Sequence, residues 1–145
     1  MKKSNALLLT LGLAAGLSTV TPSQAHAATW HKGAPTAIRG NWLSTEPRKK
    51  DPAAGFAPQY RISKSKLTRN ISNMSSEYAS HLSWRKGGHI YYVKSYVKPN
   101  GMVLGGHVTY KFYKSGKHTM YDQPTKHHLK RGYAFKKVSK FRSWY

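Results

Sequence analysis

The sequence predicts an all-β fold, either a small antiparallel meander barrel or a sandwich, preceded by a cleaved signal peptide. Three observations lead to this expectation. Residues 89–98 are dense in β-branched and aromatic side chains, which fit a half-buried pleated surface. Asn100-Gly101 follows them, and this dipeptide is a strong hairpin signal. Turn signals recur at short intervals through the rest of the chain, as they do in all-β barrels and sandwiches.

Residues 1–27 have the pattern of a secretory signal peptide. Lys2 and Lys3 precede an uncharged run over 6–20, and Ala25-His26-Ala27 places small residues where a signal peptidase cleaves. The run is shorter than the roughly 20 apolar residues that a transmembrane helix needs. We therefore expect a signal peptide over 1–27, an N-terminal arm over 28–38 and a single β domain over 39–145.

The elements before the central hairpin are short. The arm is expected to be an ordered arm or a short helical turn around Pro35. Half-apolar runs predict strands at 39–43, 59–63 and 66–71. Several prolines make 46–58 a loop, because proline cannot donate to a strand ladder. The Ser- and Asn-rich pattern of 70–83 assigns neither helix nor strand.

The second half of the chain continues the meander. The partner strand of 89–98 is expected over 102–114, bent at Gly105-Gly106, with Val108, Tyr110 and Phe112 on one face. A turn, a strand, a basic loop and a closing strand are then expected at 115–117, 118–122, 123–132 and 133–138. Aromatic residues dominate cores, so core positions are expected for Trp42, Trp84, Tyr92, Tyr110 and Phe112.

The N-terminal part of the expected mature chain resembles two groups of proteins. The stretches Thr29-Trp30-His31-Lys32-Gly33-Ala34-Pro35 and Ile38-Arg39-Gly40-Asn41-Trp42 resemble small secreted proteins of lactobacilli and related lactic acid bacteria, a group mostly of unknown function. Gly40-x-Trp42 also looks like the opening of lipocalin-like barrels. That resemblance implies a tryptophan that plugs the closed end of the barrel, under a basic residue from late in the chain, here Arg131 or Arg142.

The charge balance predicts an anionic partner. Lys and Arg number 25 against four Asp and Glu, a net charge of +21. Such a charge repels itself within the fold, which makes a role in binding plausible. The chain has no cysteine, so no disulfide contributes to its stability, a usage that suits a Gram-positive exported protein.

We expect a secreted protein that is held non-covalently at the cell surface by teichoic acid or another polyanion. The candidate polyanion-binding residues are Lys126, Lys130, Arg131, Lys136, Lys137, Lys140 and Arg142 near the C-terminus, with Arg48, Lys49 and Lys50 in the proline-rich loop.

No pattern in the sequence indicates catalysis. The four acidic residues Glu46, Asp51, Glu77 and Asp122 form no pair with a recognisable spacing. His127-His128 lacks the companion ligands of a zinc motif, and no G-x-S-x-G elbow is present. We therefore expect a protein that is not an enzyme, with no catalytic residues, no metal and no cofactor.

Two alternative functions remain open at this point. An open barrel would make the protein a carrier of a small hydrophobic ligand. The positive charge would also suit a cationic antimicrobial or host-directed factor, although the sequence shows no strong amphipathic helix.

Overall fold

The computed structural model describes residues 29–45, 58–71 and 74–141. Within these ranges the chain forms one short 3-10 helix, Thr36–Ile38, and nine strands. The strands are β1 (His31–Lys32), β2 (Gly40–Ser44), β3 (Gln59–Ile62), β4 (Leu67–Asn70), β5 (Glu77–Gly87), β6 (Ile90–Lys98), β7 (Gly106–Lys114), β8 (Thr119–Tyr121) and β9 (Ala134–Val138). The predicted signal peptide lies outside the described residues.

Strands β2 to β9 form a closed antiparallel barrel of eight strands. Each strand pairs with the next one along the chain, and β9 returns to pair with β2 from Asn41↔Val138 to Ser44↔Phe135. Strand β1 adds to β5 beyond the end of β4, with His31 opposite Trp84. The predicted all-β meander is confirmed, and of the two predicted architectures the barrel is the one that forms.

The up-and-down order gives the barrel two different ends. The 3-10 helix and the tight connections 63–66, 88–89 and 115–118 lie at one end, which we call the closed end. The connections from β4 to β5, β6 to β7 and β8 to β9 lie at the other end, which we call the mouth. Side chains near the start of β3, β5 and β7 and near the end of β4, β6 and β8 therefore meet at the mouth.

The barrel core is built around aromatic side chains. Trp42, Phe112 and Phe135 are fully buried. The ring of Tyr60 packs edge-on against Phe112 and Phe135 at centroid distances of 5.3 and 5.1 Å. Edge-to-face contacts of this kind add to the burial of the rings. The core positions predicted for Trp42, Tyr110 and Phe112 are confirmed, and Trp84 packs against the core while partly exposed.

The prediction of a core position for Tyr92 is wrong. Its neighbour Val93 is fully buried, and strand alternation turns Tyr92 to the outer wall. There the guanidinium of Arg85 lies 5.2 Å from the Tyr92 ring and 5.3 Å from the Trp30 ring. The aromatic density of β6 therefore belongs to both faces of the strand.

Trp42 is covered at the closed end by a turn and two lysines. Its indole N–H donates to the carbonyl of Ile38 at 2.7 Å, at the end of the 3-10 helix. The ammonium groups of Lys114 and Lys137 lie 4.9 and 5.7 Å from the Trp42 ring, within the range of cation–π attraction. Burial, aided by the charge of Lys137, lowers the pKa of Lys114.

The expectation that Arg131 or Arg142 would cover Trp42 is not met for Arg131. That residue is exposed in the segment between β8 and β9, where it lines a surface pocket with Asp122 and Pro124. Arg142 lies outside the described residues. The cations observed over the ring come instead from the ends of β7 and β9, because both strands reach the closed end there.

Gly40 leaves room for Lys137 to reach Trp42. Trp42 and Lys137 are directly paired on β2 and β9, so their side chains share a face. A Cβ atom at Gly40 would lie 2.6 Å from Cε of Lys137, and the residue has φ +130°, which L side chains rarely adopt. The backbone conformation at residue 40 therefore favours glycine, and the flexible end of the Lys137 side chain would have to move to admit a Cβ atom there.

Strand β5 is the longest strand of the described residues, and the sequence left most of its first half unassigned. Its pairing with β6 shifts register between Ser80 and Ser83, and His81 in this bulge has φ +52°. Ala79 and Leu82 are both buried although three positions separate them. The bulge therefore breaks the alternation by which a strand is recognised.

The connection after β6 differs from its prediction. Asn100 and Val103 exchange backbone hydrogen bonds of 3.0 and 2.9 Å, so the loop residues are Gly101-Met102 and not Asn100-Gly101. Strand β7 begins at Gly106, four residues later than expected. Residues 102–105 consequently lie at the mouth.

We expect Gly40→Ala to lower the free energy of unfolding by about 1–3 kcal/mol, since alanine is strained at this φ and its Cβ meets Lys137. Urea unfolding of the variant checks this. In a Lys137→Ala background the strain remains but the contact does not, so the loss should be smaller. An equal loss in both backgrounds would show that Lys137 does not constrain Gly40.

Candidate functional site

The mouth opens into a cavity of about 480 Å³. This volume lies within the range of small-molecule binding sites. Its wall is mostly apolar, and the apolar side chains that line it are Ile71, Met74, Val97, Met102, Val103, Leu104 and Val108. The cavity is therefore open to solvent at the mouth, and the buried Val97 and Tyr110 form its inner part.

Large apolar side chains are exposed around this opening. Leu104 is 93% exposed and Met102 is 74% exposed, and Met74 and Val108 join them on the lining. Exposed apolar side chains that cluster in one place often mark a binding surface, whereas scattered ones do not. The connections that carry these residues stand at the mouth because of the meander order.

The polar groups at the base of the cavity, which we call the cavity floor, include an ion pair that is hydrogen-bonded to a tyrosine. The Arg69 guanidinium donates through Nη1 to Oε1 of Glu77 at 2.7 Å, and both side chains are 23% exposed. The hydroxyl of Tyr110 donates to Oε2 of the same carboxylate at 2.9 Å. Glu77 lies on β5 and therefore accepts hydrogen bonds from one side chain on β4, which pairs with β5, and from one on β7.

A second carboxylate, that of Asp122, lies at the end of β8. It is 8% exposed, and Oδ2 accepts a hydrogen bond from the hydroxyl of Tyr60 at 3.2 Å. Oδ1 accepts from the backbone N–H of Tyr133 at 2.9 Å, which closes the segment between β8 and β9 at its base. Asp122 is thus a buried acid whose two oxygens both have donors.

Burial and charge act together on these groups. Burial raises the pKa of the Asp122 carboxyl, while hydrogen bonds from Tyr133 and Tyr60 act in the opposite direction. Burial also raises the pKa of Tyr60 and of Tyr110, and in each case a neighbouring carboxylate adds to the effect. Both phenols therefore stay protonated and serve as donors. The charged side chains that line the cavity are Arg69, Glu77 and Asp122.

The distribution of charge over the barrel is uneven. Glu77 and Asp122 are the acidic residues of the described ranges, and both line the cavity. The outer wall of the described barrel therefore carries lysine, arginine and histidine side chains without a carboxylate between them.

The structure separates the predicted polyanion-binding residues. Lys126, Lys130 and Arg131 are exposed in the segment between β8 and β9, at the mouth. Lys136 and Lys137 lie on β9, and Lys140 follows that strand at the closed end. Lys136, Lys137 and Lys140 are exposed, and the ammonium of Lys137 also lies over Trp42. Arg48, Lys49, Lys50 and Arg142 lie outside the described residues.

Sequence reasoning missed the cavity residues altogether. In the sequence, Glu77 and Asp122 belong to no recognisable catalytic pair, and no spacing in the chain connects these two residues. The available signal was their position: Tyr60, Arg69, Glu77 and Asp122 all lie within two residues of the mouth end of a strand. A meander brings those strand ends together at the mouth.

No group of three or more His, Asp or Glu side chains comes together as a metal site in the part of the chain that the structure describes. Within those same ranges, no helix is long and apolar enough to cross a membrane.

We expect Asp122→Asn to reduce the pH dependence of stability in the acidic range. A carboxyl with a raised pKa binds its proton more tightly in the folded state, so its stabilising effect is full below the ordinary value near 3.9 and is lost as the pH rises through the raised pKa. As the pH rises from the ordinary value through the raised pKa, the free energy of unfolding of the wild type should therefore fall relative to that of the variant. Urea unfolding at a series of pH values measures the difference.

Lys130→Ser is the control for this comparison, because it changes an exposed charge at the same end of the barrel. It should follow the wild-type pH profile. A profile for Asp122→Asn that parallels the wild type would show that the Asp122 carboxyl titrates near its ordinary pKa.

No protein-family model matches the chain, and comparisons with curated proteins and with solved structures gave no match. The cavity and the distribution of charge are therefore the observations that bear on function.

Proposed function

We propose that this protein is a non-enzymatic binding protein whose barrel holds a small, largely apolar ligand at the mouth. The observation that supports this most directly is the cavity of about 480 Å³ with its apolar wall. Barrels of eight strands are just wide enough either to fill with side chains or to hold one small ligand. Here Trp42 fills the closed end, Phe112 and Phe135 pack against the ring of Tyr60, and the space lies toward the mouth.

The exposed apolar side chains around the mouth, which we call the rim, provide a hydrophobic driving force for ligand binding. Met102 and Leu104 expose most of their surface to water, and a ligand that covers them removes apolar area from solvent. Full burial of such a side chain is worth about 1.5–3 kcal/mol. The floor groups are hydrogen-bonded to one another, so they provide fixed polar contacts for one end of the ligand.

A binding role is favoured over catalysis by the state of the carboxylates. Glu77 is engaged by Arg69 and Tyr110, and Asp122 by Tyr60 and the Tyr133 backbone. The two acids thus have structural partners in place of a reacting group.

We also propose that the exported protein adheres to an anionic cell-surface polymer such as teichoic acid. The supporting observation is that both acidic residues of the described ranges line the cavity, which leaves the described outer wall purely basic. Lys126, Lys130 and Arg131 would supply contacts at the mouth, and Lys136 and Lys140 would supply them along β9 and at the closed end. Ordinary ion pairing with phosphate then retains the protein without a covalent anchor.

We expect the purified protein to bind N-phenyl-1-naphthylamine, an uncharged apolar dye, with a rise in its fluorescence. Replacing both Met102 and Leu104 by Ser should weaken binding by about tenfold or more, because apolar burial at the rim is lost. Tyr78→Ser is the matched control, since Tyr78 is 51% exposed but does not line the cavity. Dye binding that is equally weakened by the control, or absent from the wild type, would contradict the ligand-binding proposal.

We expect binding to isolated Gram-positive walls to fall steeply with salt and to be lost after teichoic acid extraction. Replacing Lys126, Lys130 and Arg131 by Ser should flatten the slope of log K against log salt by roughly one unit per lost phosphate contact. Lys136→Ser with Lys140→Ser tests the β9 side in the same way. An unchanged slope in both variants, or binding that survives extraction, would contradict adhesion through these residues.

A further inference from the structure

The cavity floor has an excess of negative charge although the chain as a whole has a net charge of +21. Its charged lining groups are one guanidinium, of Arg69, and two carboxylates, of Glu77 and Asp122. Tyr60 and Tyr110 on the same floor are neutral donors. A ligand in the mouth therefore meets local charge of the opposite sign to the outer wall.

The carboxylates of the floor have free capacity to accept further hydrogen bonds. The two phenols already donate to carboxylates, and Arg69 donates to Glu77. Each of the four carboxylate oxygens accepts one hydrogen bond, and a carboxylate oxygen can accept two. Arg69 has five N–H groups and donates one of them to Glu77, so its other outer N–H groups are donors for a ligand, whereas its Nε is enclosed and has no partner.

These two features decide which head group fits. A carboxylate or phosphate on the ligand would bring a third negative charge beside those of Asp122, which is buried, and Glu77, which is 23% exposed, with one guanidinium to offset them. An ammonium would balance the excess charge and donate to the free lone pairs. We infer that the mouth cavity binds a molecule with an apolar body and a primary ammonium head, an inference that rests on the proposed ligand-binding function.

Ligand binding in the cavity and polymer binding on the outer wall should depend differently on salt concentration. The basic wall repels an approaching amine, and near the mouth Lys111 and Arg131 line the neighbouring pocket that shares Asp122. These groups are exposed, so salt screens them more strongly than it screens the floor. Amine binding should therefore hold or strengthen as salt rises, whereas adhesion to an anionic polymer weakens.

The test compares decylamine, decanamide and decanoate, which share a chain and differ in the charge of the head. At about pH 7 the amine is protonated and the acid is ionised. Calorimetric titration of the protein without residues 1–27 should give the highest affinity for the amine, a lower affinity for the amide and the lowest for the acid. The amine should bind at least about tenfold more tightly than the amide. The ratio of amine to amide should stay constant or rise between about 50 and 500 mM salt.

Two variants test which groups give the preference. Glu77→Gln and Asp122→Asn each remove one negative charge with little change of shape. Together they should reduce the amine preference over the amide by about tenfold, and the far-UV circular dichroism spectrum of the double variant reports whether the barrel is still folded. Lys130→Ser, which is exposed and does not line the cavity, should leave the preference unchanged.

The outcomes distinguish the inference from the proposed function. Decanoate that binds as tightly as decylamine would overturn the ammonium inference and leave the ligand-binding cavity standing. A preference for the amine that survives in the double variant would also overturn it, because the charge would then lie elsewhere. Failure of all three compounds and of the neutral dye to bind would overturn the ligand-binding function itself.

Discussion

Closure of the sheet between β2 and β9 is the constraint on which the rest of the structure depends. The chain has no cysteine, so the barrel is held by strand ladders and packing alone. Closure leaves β2 to β9 without a free edge, which matters for a protein with exposed apolar side chains. It also determines that the interior has two ends. Trp42, held by Ile38 and covered by Lys114 and Lys137, fills one of them, and the cavity follows from the absence of an equivalent plug among the described residues at the other.

The positions of Glu77 and Asp122 determine how charge is distributed between the cavity and the outer wall of the described barrel. A carboxylate on the outer wall would have lowered the self-repulsion of a chain with net charge +21, yet Glu77 and Asp122 both line the cavity. Inside, each acid has an adjacent donor set that offsets the loss of water. The same arrangement therefore supports both proposals, a basic outer wall for an anionic polymer and a polar floor of opposite charge for a small ligand.

Much of the fold could be predicted from the sequence, but the candidate site could not, and the reasons are physical. Strands β6 and β7 follow the alternation of side chains closely, so they are recognisable from residues 89 to 114. Strand β5 is not, because its bulge at His81 interrupts that alternation. The cavity depends on contacts such as Tyr60 to Asp122, which are 62 residues apart and meet only when the barrel closes. Tyr92 shows the opposite error, since an aromatic residue on a strand can cover the outer wall as well as the core.

Asp122 connects the two proposed binding surfaces. Its carboxylate forms part of the cavity floor and also accepts from Tyr133, so it anchors the segment that exposes Lys126, Lys130 and Arg131. A Cβ at Gly132 would contact the same carboxylate and the neighbouring Gln123, so the base of the segment is closely packed. Glu77, in contrast, is bonded to Arg69 and Tyr110 inside the mouth. A change at Glu77 therefore acts on the cavity alone, whereas a change at Asp122 also reaches the basic segment, and a comparison of the two separates the roles.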